Sequence, residues 1–308
     1  MIRVLRPTDL LALAHFHRRA ANLARSRDLL ATAQAEPGTA GLLLADWRLP
    51  ARRRTWVATS GRRLIGLVSG RRGPTRQSWE IDRLILTDDD KLREVCLSLL
   101  SEISLASAEA GVERLYLRLP IDHPVVESAA QAGFVWYGEE LVLRQEVDRD
   151  APPMAPPIGL RRREPADDHA IYRLYNQSVP ARVRQAEAVT FQEWQALQHL
   201  SDNRRSEQWV LDRGSLIAAW YRAVRRRQSG LLECLYLPEA ETELPHGLDF
   251  ALSRLAGARV LWSLAPVFQP ALVRHLQAEG FEEVARSAVF IKHLAVRARA
   301  PALVPVPA

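Results

Sequence analysis

The feature that most constrains the fold of this chain is an internal repeat with a period of about 150 residues. The segment TWVATSGRRLIGLVSGRRGPTRQSWEIDRLIL has a counterpart in QWVLDRGSLIAAWYRAVRRRQSGLLECLYL. Trp56 matches Trp209, an offset of 209 − 56 = 153, and Gly133 matches Gly280, an offset of 280 − 133 = 147. This period is far too long for a solenoid, so the repeat predicts two copies of one domain.

A proline-rich stretch separates the two copies. The sequence DRDAPPMAPP spans residues 149–158 and has almost no apolar periodicity, which is typical of a linker. We therefore predict an N-terminal domain over residues 1–148 and a C-terminal domain over residues 159–296. The last residues, 297–308, have the sequence RARAPALVPVPA, for which we predict disorder.

The charge of the chain is basic and comes almost wholly from arginine. The formal net charge is +6, and Lys91 and Lys292 are the only lysines. The arginines are scattered and do not alternate with aromatic residues, as a nucleic-acid stacking surface requires. We therefore expect a solvated basic surface, and the pattern disfavours a nucleic-acid partner.

Cysteine usage and hydropathy bear on location. Cys96 and Cys234 lie inside apolar runs at a spacing that matches no zinc or redox motif, which predicts buried thiols. No apolar run is long enough for a membrane span, and the first residues lack the pattern of a signal peptide. These features favour a cytoplasmic protein with no metal.

Within each copy, the pattern predicts a mixed α/β fold. A short strand leads to a helix capped by Asp9 in the first copy, and by Asp167 and Asp168 in the second. A variable helical stretch follows, then a three-stranded antiparallel meander that ends at Leu86 or Leu237. A helix, a buried strand, a helix ending in Gly-Phe and a last strand pair complete each copy. We predict a mixed, mostly antiparallel sheet with helices on both faces.

This element order resembles the GNAT superfamily of acyl-CoA N-acyltransferases. The resemblance covers nearly the whole chain as two tandem copies. It rests on IRVLRPTD, WVATSGRRLIGLVSG, EIDRLIL and AAQAGF in the first copy and on LRRREPADDHAIYRLYN, WVLDRGSLIAAW and QAEGF in the second. It implies an N-acetyltransferase that uses acetyl-CoA or another acyl-CoA to acylate a small amine.

The pyrophosphate turn of that family differs here. In the family, a glycine-rich turn after the third meander strand holds the pyrophosphate on backbone amides. The corresponding turns of this chain lie near Leu86 and Thr87 in the first copy and near Leu237, His246 and Gly247 in the second. Carboxylates fill their surroundings, namely those of Asp88, Asp89, Asp90, Glu239, Glu241 and Glu243.

Such carboxylates oppose a phosphate in two ways. An aspartate that caps a helix is stabilising by about 0.5–2 kcal/mol and uses the amides that a phosphate needs. A carboxylate about 4 Å from a phosphate oxygen repels it by roughly 4 kcal/mol at an effective dielectric near 20. We therefore expect self-capped turns in both copies and loss of the usual cofactor grip. A different grip stays open, through Arg225–Arg227 or through Arg71, Arg72 and Arg76.

The proton donor that the resemblance implies is absent as well. Many family members have a tyrosine four residues before the Gly-Phe glycine, and those positions hold Ala129 and Leu276 here. His275 is adjacent to Leu276 but lies about 100° away around the helix, so we expect a surface histidine.

Candidate general bases are present on the third meander strand. Glu80 and Asp82 lie two residues apart and share a face, and Glu233 aligns with Asp82. The family uses a carboxylate here to deprotonate the amine, and burial would raise its pKa toward a useful range. The alternative is a structural salt bridge to a neighbouring arginine.

The acceptor site is predicted from the resemblance alone. In the family, the loop after the first helix lines this site. The matching segment of the second copy, YNQSVPARVRQAE, offers Asn176, Arg182 and Arg184 as substrate contacts.

Three functional hypotheses follow. The first is a tandem GNAT-type acyltransferase, and the second is a catalytically inactive GNAT-fold protein that keeps a cleft for a small-molecule ligand or serves as a scaffold. The third, nucleic-acid binding through the arginines, has only the net charge in its favour. The two copies are also expected to pack against each other.

Overall fold

The computed structural model describes residues 1–16, 18–25, 53–61, 63–73, 75, 77–87, 90–147, 154–188, 190–201, 206–226 and 228–295. The tail predicted to be disordered lies outside the described residues, and so does the first half of the predicted linker.

The described residues form thirteen strands and eight α-helices. The strands are β1 Ile2–Val4, β2 Ala20–Asn22, β3 Arg53–Ser60, β4 Arg63–Arg72, β5 Ser78–Thr87, β6 Arg114–Pro120, β7 Val135–Glu146, β8 Leu160–Arg162, β9 Ser206–Asp212, β10 Ile217–Arg226, β11 Ser229–Tyr236, β12 Val260–Pro266 and β13 Glu282–His293. The helices are α1 Leu10–Phe16, α2 Leu92–Glu109, α3 Val125–Gln131, α4 Asp168–Ser178, α5 Ala181–Glu187, α6 Phe191–Ser201, α7 Leu244–Ser253 and α8 Pro270–Ala278. No described helix has both the length and the apolar character that a membrane crossing needs.

The strands join in one mixed sheet. Their order is β1-β3-β4-β5-β6-β13-β7-β12-β11-β10-β9-β8, and β2 pairs with β5 off this path. The pairs β5–β6 and β11–β12 are parallel, and the other pairs are antiparallel. The predicted mixed, mostly antiparallel sheet is confirmed.

The two copies exchange their last strands. Each copy ends in one 12-residue strand, β7 or β13, instead of the strand pair that we expected. The strand β13 inserts between β6 and β7 of the first copy, and β7 pairs with β12 of the second. Alternation of apolar residues shows that a strand has a buried face, but it does not show which strand is its neighbour. The prediction that the copies pack together is confirmed, whereas the domain boundaries at 148 and 159 stay a prediction.

Helices cover both faces of the sheet. On one face, α2 and α3 pack over the first copy, and α7 and α8 pack over the second. On the other face, α1 packs over the first copy, and α4 to α6 pack over the second copy and the exchanged strands. Tyr116 and Tyr137 of the first copy belong to the same cluster as Val183 and Ala186 of α5.

The helix that ends in Gly-Phe has the expected geometry in each copy. Gly133 and Gly280 have φ of +81° and +91°, values that favour glycine. The Phe134 amide donates to the Ala129 carbonyl at 3.0 Å, and the Phe281 amide closes the same loop in the second copy. Both phenylalanines are buried.

The two cysteines are free and buried, as predicted. Burial raises the pKa of Cys96 to about 12 and raises that of Cys234 as well. Both thiols are therefore uncharged and unreactive at neutral pH.

Candidate functional site

In both copies, two parallel neighbouring strands part midway. β5 pairs with β6 through Ile81, and β11 pairs with β12 through Leu232. Asp82 and Glu233, two of the predicted bases, are the next residues of these strands. Both strands continue beyond this point, so a cleft opens beside each carboxylate, where one strand edge has lost its parallel neighbour.

The cleft of the first copy is occupied by the chain itself. Residues 20–25, which we call the wedge segment, include β2 and pair with the edge of β5 beyond the point of parting. The Leu23 amide donates to the Leu84 carbonyl at 2.8 Å, and the Arg25 amide reaches the Arg118 carbonyl on β6 at 3.1 Å. The wedge segment thus spans both walls of the cleft.

The cleft of the second copy has no corresponding segment among the described residues. Gln269 follows β12 at the end of this cleft, and only 3% of its surface is exposed. Within the described part of the chain, neither atom of its side-chain amide has a hydrogen-bond partner. A buried polar group without a partner costs about 1–3 kcal/mol, so this amide indicates a place for a polar group of a ligand.

Asp82 forms a buried ion pair. It lies at a β-bulge of β5, where the register with β4 shifts, and its carboxylate pairs with Arg53 of β3. Only 2% of its surface is exposed, and burial raises its pKa while Arg53 acts in the opposite direction. The salt-bridge alternative describes Asp82 better than a base that meets substrate.

Glu80 belongs to a buried charge network. It accepts from Arg71 Nε at 3.1 Å and from Arg118 Nη1 at 3.1 Å. Arg118 Nε also donates to Glu140 at 2.8 Å, so this network links the exchanged strand β7 to β5. These contacts favour the salt-bridge alternative for Glu80, and Arg71 is engaged with this carboxylate.

Glu233 is the most accessible of the three predicted bases. Its Oε2 accepts from Arg222 Nη1 at 2.6 Å, and its side chain is 28% exposed. Arg222 is buried and also donates to Ser206 Oγ at 3.0 Å. Glu233 shares a face with Leu235, which packs in the cluster formed with α4 to α6.

The helix starts after β5 and β11 were predicted to be capped by their own carboxylates. Lys91 is the N-cap residue of α2 and Glu243 that of α7, and neither makes a side-chain capping bond. Asp90 is exposed, while Asp88 and Asp89 lie outside the described residues. The prediction of self-capping is therefore wrong for Glu243 in the second copy, and it stays a prediction for the first copy.

The acidic residues of the second turn have arginine partners instead. Glu241 pairs with Arg274 at 2.7 Å, and Glu243 pairs with Arg213 at 2.6 Å. The positive charges of these arginines offset the negative charges of the carboxylates and reduce the repulsion that we expected toward a phosphate. Loss of the phosphate grip stays a prediction for both turns.

Gly247 has a packing role. A Cβ at this position would lie 2.3 Å from Cζ of Tyr221, so glycine is needed for this ring to approach α7. The interpretation of Gly247 as a more open spot is therefore wrong, whereas His246 is exposed. Leu86 and Leu237 are buried core residues.

The first turn has one further polar group. The hydroxyl of Thr87 donates to the Ile65 carbonyl at 3.2 Å. The structure describes only some of the arginines that we considered as alternative phosphate ligands, because Arg76 and Arg227 lie outside the described residues. Arg72 and Arg225 are exposed.

The positions of the family's tyrosine are packing positions here. Ala129 and Leu276 are fully buried at 0% exposure. His275 is not a free surface residue, because its Nε2 lies 3.0 Å from Asp249 Oδ1 and its side chain is 15% exposed. Ligand atoms of this pair and of Glu279 lie within 4.8 Å of one another. These residue types bind divalent metals, so the absence of a metal stays a prediction.

The structure brings together two of the three predicted substrate contacts. Arg184 Nη1 donates to Asn176 Oδ1 at 3.1 Å. Arg182 is exposed and forms no contact with this pair. Contact of Asn176, Arg182 and Arg184 with a substrate stays a prediction.

Sequence reasoning missed the wedge segment, Gln269 and Arg222. The only signal for Gln269 was a polar residue between a buried strand and Pro270, which starts α8. Arg222 lies in a strand that contains both apolar and charged residues, and an arginine in such a strand is ordinarily assigned to the surface.

Solved structures similar to this chain support the fold. A tandem GNAT protein from the clavulanic acid biosynthesis pathway is 14% identical, with 97% of this chain and 99% of that chain covered and a TM-score of 0.50. A GCN5-related N-acetyltransferase from Sphaerobacter thermophilus is 14% identical over 95% of both chains, with a TM-score of 0.56. A Drosophila protein is 15% identical over 95% of this chain and 98% of that one, with a TM-score of 0.52.

No family model matches the chain, and no curated protein matches it. At these identities, the likeness concerns the fold. The chain has the GNAT fold in two tandem copies.

Proposed function

We propose that this protein is an acyl-CoA-dependent N-acyltransferase of small amines, and that the C-terminal copy holds the acyl-CoA. The observation that carries the proposal is the difference between the two clefts. The edge of β5 is taken by the wedge segment, whereas the edge of β11 that faces β12 has no described strand beside it beyond Leu232. An unpaired strand edge offers alternating amides and carbonyls to an extended ligand.

The residues of the C-terminal cleft fit such a cofactor. The arm of an acyl-CoA carries amide groups, which can pair with the backbone of β11 beyond Leu232. The buried amide of Gln269 supplies a further donor and acceptor. When bound, an acyl-CoA supplies an acyl group activated as a thioester.

Glu233 is the proposed general base. Arg222 holds Oε2 in place, and Oε1 is the oxygen left to accept the proton that the acceptor amine loses. The carboxylate lies on the sheet face that α4 to α6 cover, and it is partly exposed, so an amine can reach it.

Titration of the full chain with acetyl-CoA tests the proposal. We expect one site per chain in the micromolar range and at least about tenfold weaker binding for Gln269→Leu, since a buried hydrogen bond is lost. The matched control is Asp122→Leu, at the position of the first copy related by the offset of 147, and it should bind as the wild type does. Two equivalent sites, or equal weakening by both variants, would contradict the assignment to the C-terminal copy.

A second candidate is a catalytically inactive GNAT-fold protein that binds a ligand or acts as a scaffold. The wedge segment and the aliphatic residues Ala129 and Leu276 favour it. Absence of acetyl-CoA binding at millimolar concentration would support this candidate. A cytoplasmic location also stays a prediction, based on the two free cysteines.

A further inference from the structure

Helices α4 and α5 lie over the C-terminal cleft. Val179, between the two helices, and Val183 of α5 share a hydrophobic cluster with Leu235 of β11 and with Phe268, which follows β12. Leu235 is two residues beyond Glu233 and shares its face. The helix pair therefore covers the side of the cleft that Glu233 faces.

Strands of the first copy hold α5 in place. The hydroxyl of Tyr116 donates to the Ala186 carbonyl at 2.7 Å, and the hydroxyl of Tyr137 donates to Glu187 Oε1 at 3.1 Å. These contacts exist because the exchanged strands place the first copy beside the second site. The hydrogen bonds from Tyr116 and Tyr137 therefore fix the backbone of α5 near Arg184 against the sheet.

Arg184 is a half-buried arginine whose described contacts include no carboxylate. Its Nη1 donates to the neutral amide of Asn176, and its buried Nε has no hydrogen-bond partner in the described part of the chain. Other partly buried arginines on this side of the sheet differ, since Arg114 and Arg222 pair with carboxylates at 2.7 and 2.6 Å. A buried, charged donor without a partner indicates that an anionic group is missing.

We propose that the acceptor is an amine that also carries a carboxylate, and that Arg184 binds this carboxylate. This inference rests on the proposed function, because it concerns the same cleft. The planar guanidinium presents parallel donors that match a carboxylate, while Asn176 holds the opposite side of the group. Glu233 then meets the amino group of a substrate such as an amino acid.

The test uses the full chain, acetyl-CoA and the common amino acids, each compared with its decarboxylated amine, for example tyrosine with tyramine and lysine with cadaverine. Release of the CoA thiol is measured. We expect turnover of at least one amino acid. Its decarboxylated partner should have a kcat/KM at least about 100-fold lower than that of the amino acid, because the carboxylate site is then unfilled.

Variants at Arg184 test whether this residue causes the preference for amino acids. Arg184→Gln should raise the KM for the amino acid at least tenfold and leave acetyl-CoA affinity unchanged, and Arg184→Lys should lie between it and the wild type. The matched control is Arg173→Gln, which removes an exposed arginine from α4 and should behave as the wild type does.

The outcomes separate the two proposals. Turnover of decarboxylated amines only, or of no compound in the panel although acetyl-CoA binds, would overturn the role of Arg184. Failure of acetyl-CoA to bind would overturn the proposed function instead. In that case, thermal stabilisation by an amino acid that is lost in Arg184→Gln still supports the carboxylate site, and its absence overturns it.

Discussion

The two copies place a carboxylate at the same point of the sheet but pair it with arginines from different strands. In the first copy, Arg53 reaches the carboxylate from β3, and in the second, Arg222 reaches it from β10. By the offset of 153, Ser206 takes the place of Arg53 and Ser69 takes the place of Arg222. The two copies thus share an ion pair at this point, but its arginine lies on the first meander strand in one copy and on the second meander strand in the other.

This difference accompanies a difference in access. Asp82 is 2% exposed beside a cleft that the wedge segment fills, whereas the Glu233 side chain is 28% exposed beside a strand edge without a described neighbour. A GNAT-type sheet can therefore hold a carboxylate at this point either within the core or partly exposed, and we propose that the exposed one meets the ligand. We assign the first role to the N-terminal copy and the second to the C-terminal copy.

The largest expected effect is on turnover. Glu233→Gln should lower kcat by about 10²–10⁴-fold, because the amine loses its proton acceptor. Asp82→Asn should lower kcat less than tenfold, since its carboxylate does not meet substrate. The measurement is CoA thiol release at saturating acetyl-CoA, with cofactor affinity determined for both variants. Equal losses in the two variants would show that the copies do not differ in this way.

The charge network of the first copy should dominate stability. Arg118→Met leaves Glu80 and Glu140 buried without their shared partner, which we expect to lower the free energy of unfolding by about 3–5 kcal/mol. Urea denaturation measures this change.

The matched control replaces all three charged residues with apolar residues, as Glu80→Leu, Arg118→Met and Glu140→Leu together. Most of the lost stability should return, because the two buried carboxylates are removed together with Arg118, and among the described ion pairs only Arg71, whose side chain is 27% exposed, loses its Glu80 partner. A triple variant less stable than Arg118→Met would contradict the assignment of a structural role.

In each copy, an aspartate near the first helix is paired with an arginine, so removing its charge should destabilise the two copies equally. Arg3 lowers the pKa of Asp9, and Arg161 lowers that of Asp167, chiefly through hydrogen bonds. Asp9→Asn and Asp167→Asn should each lower the free energy of unfolding at pH 7 by about 1.5–3 kcal/mol.

The pH dependence of these two variants has a definite sign. A lowered native pKa stabilises the fold above the ordinary value of 3.8, and this contribution is lost as the pH falls through the native pKa. The difference from wild type should therefore shrink below pH 3.8. A difference that does not shrink as the pH falls below 3.8, or strongly unequal values in the two copies, would contradict this description.

The smallest predicted effect concerns Gly247. Gly247→Ala should cost about 1–3 kcal/mol, because the new methyl group meets the Tyr221 ring. In a double-mutant cycle, adding Tyr221→Leu should remove most of this cost. Additive losses in thermal denaturation would show that the ring is not what excludes a side chain.

Local patterns predicted much of the fold but not the distinction between the copies. The repeat, the meander and the Gly-Phe helix end are visible because their signals are local in sequence. The exchange of β7 and β13 is not, since each strand could pair within either copy. The wedge segment has the short sequence AANLAR, which shows no clear periodicity, and its place depends on contacts with Leu84 and Arg118.

Candidate site residues were found by strand periodicity, but their roles were not. Glu80, Asp82 and Glu233 were predicted together because they share a face of equivalent strands. Their partners come from other strands and separate two structural carboxylates from one accessible carboxylate. Burial of Gln269 likewise depends on packing that no local pattern reports.

Hydrogen exchange of the full chain with and without acetyl-CoA tests the central claim most directly. If the C-terminal cleft alone takes the cofactor, amides of residues 233–237 and 264–272 become protected, and those of residues 20–25 and 82–87 do not change. Protection of the wedge segment and of β5 beyond Ile81, with no change along β11, would contradict the account.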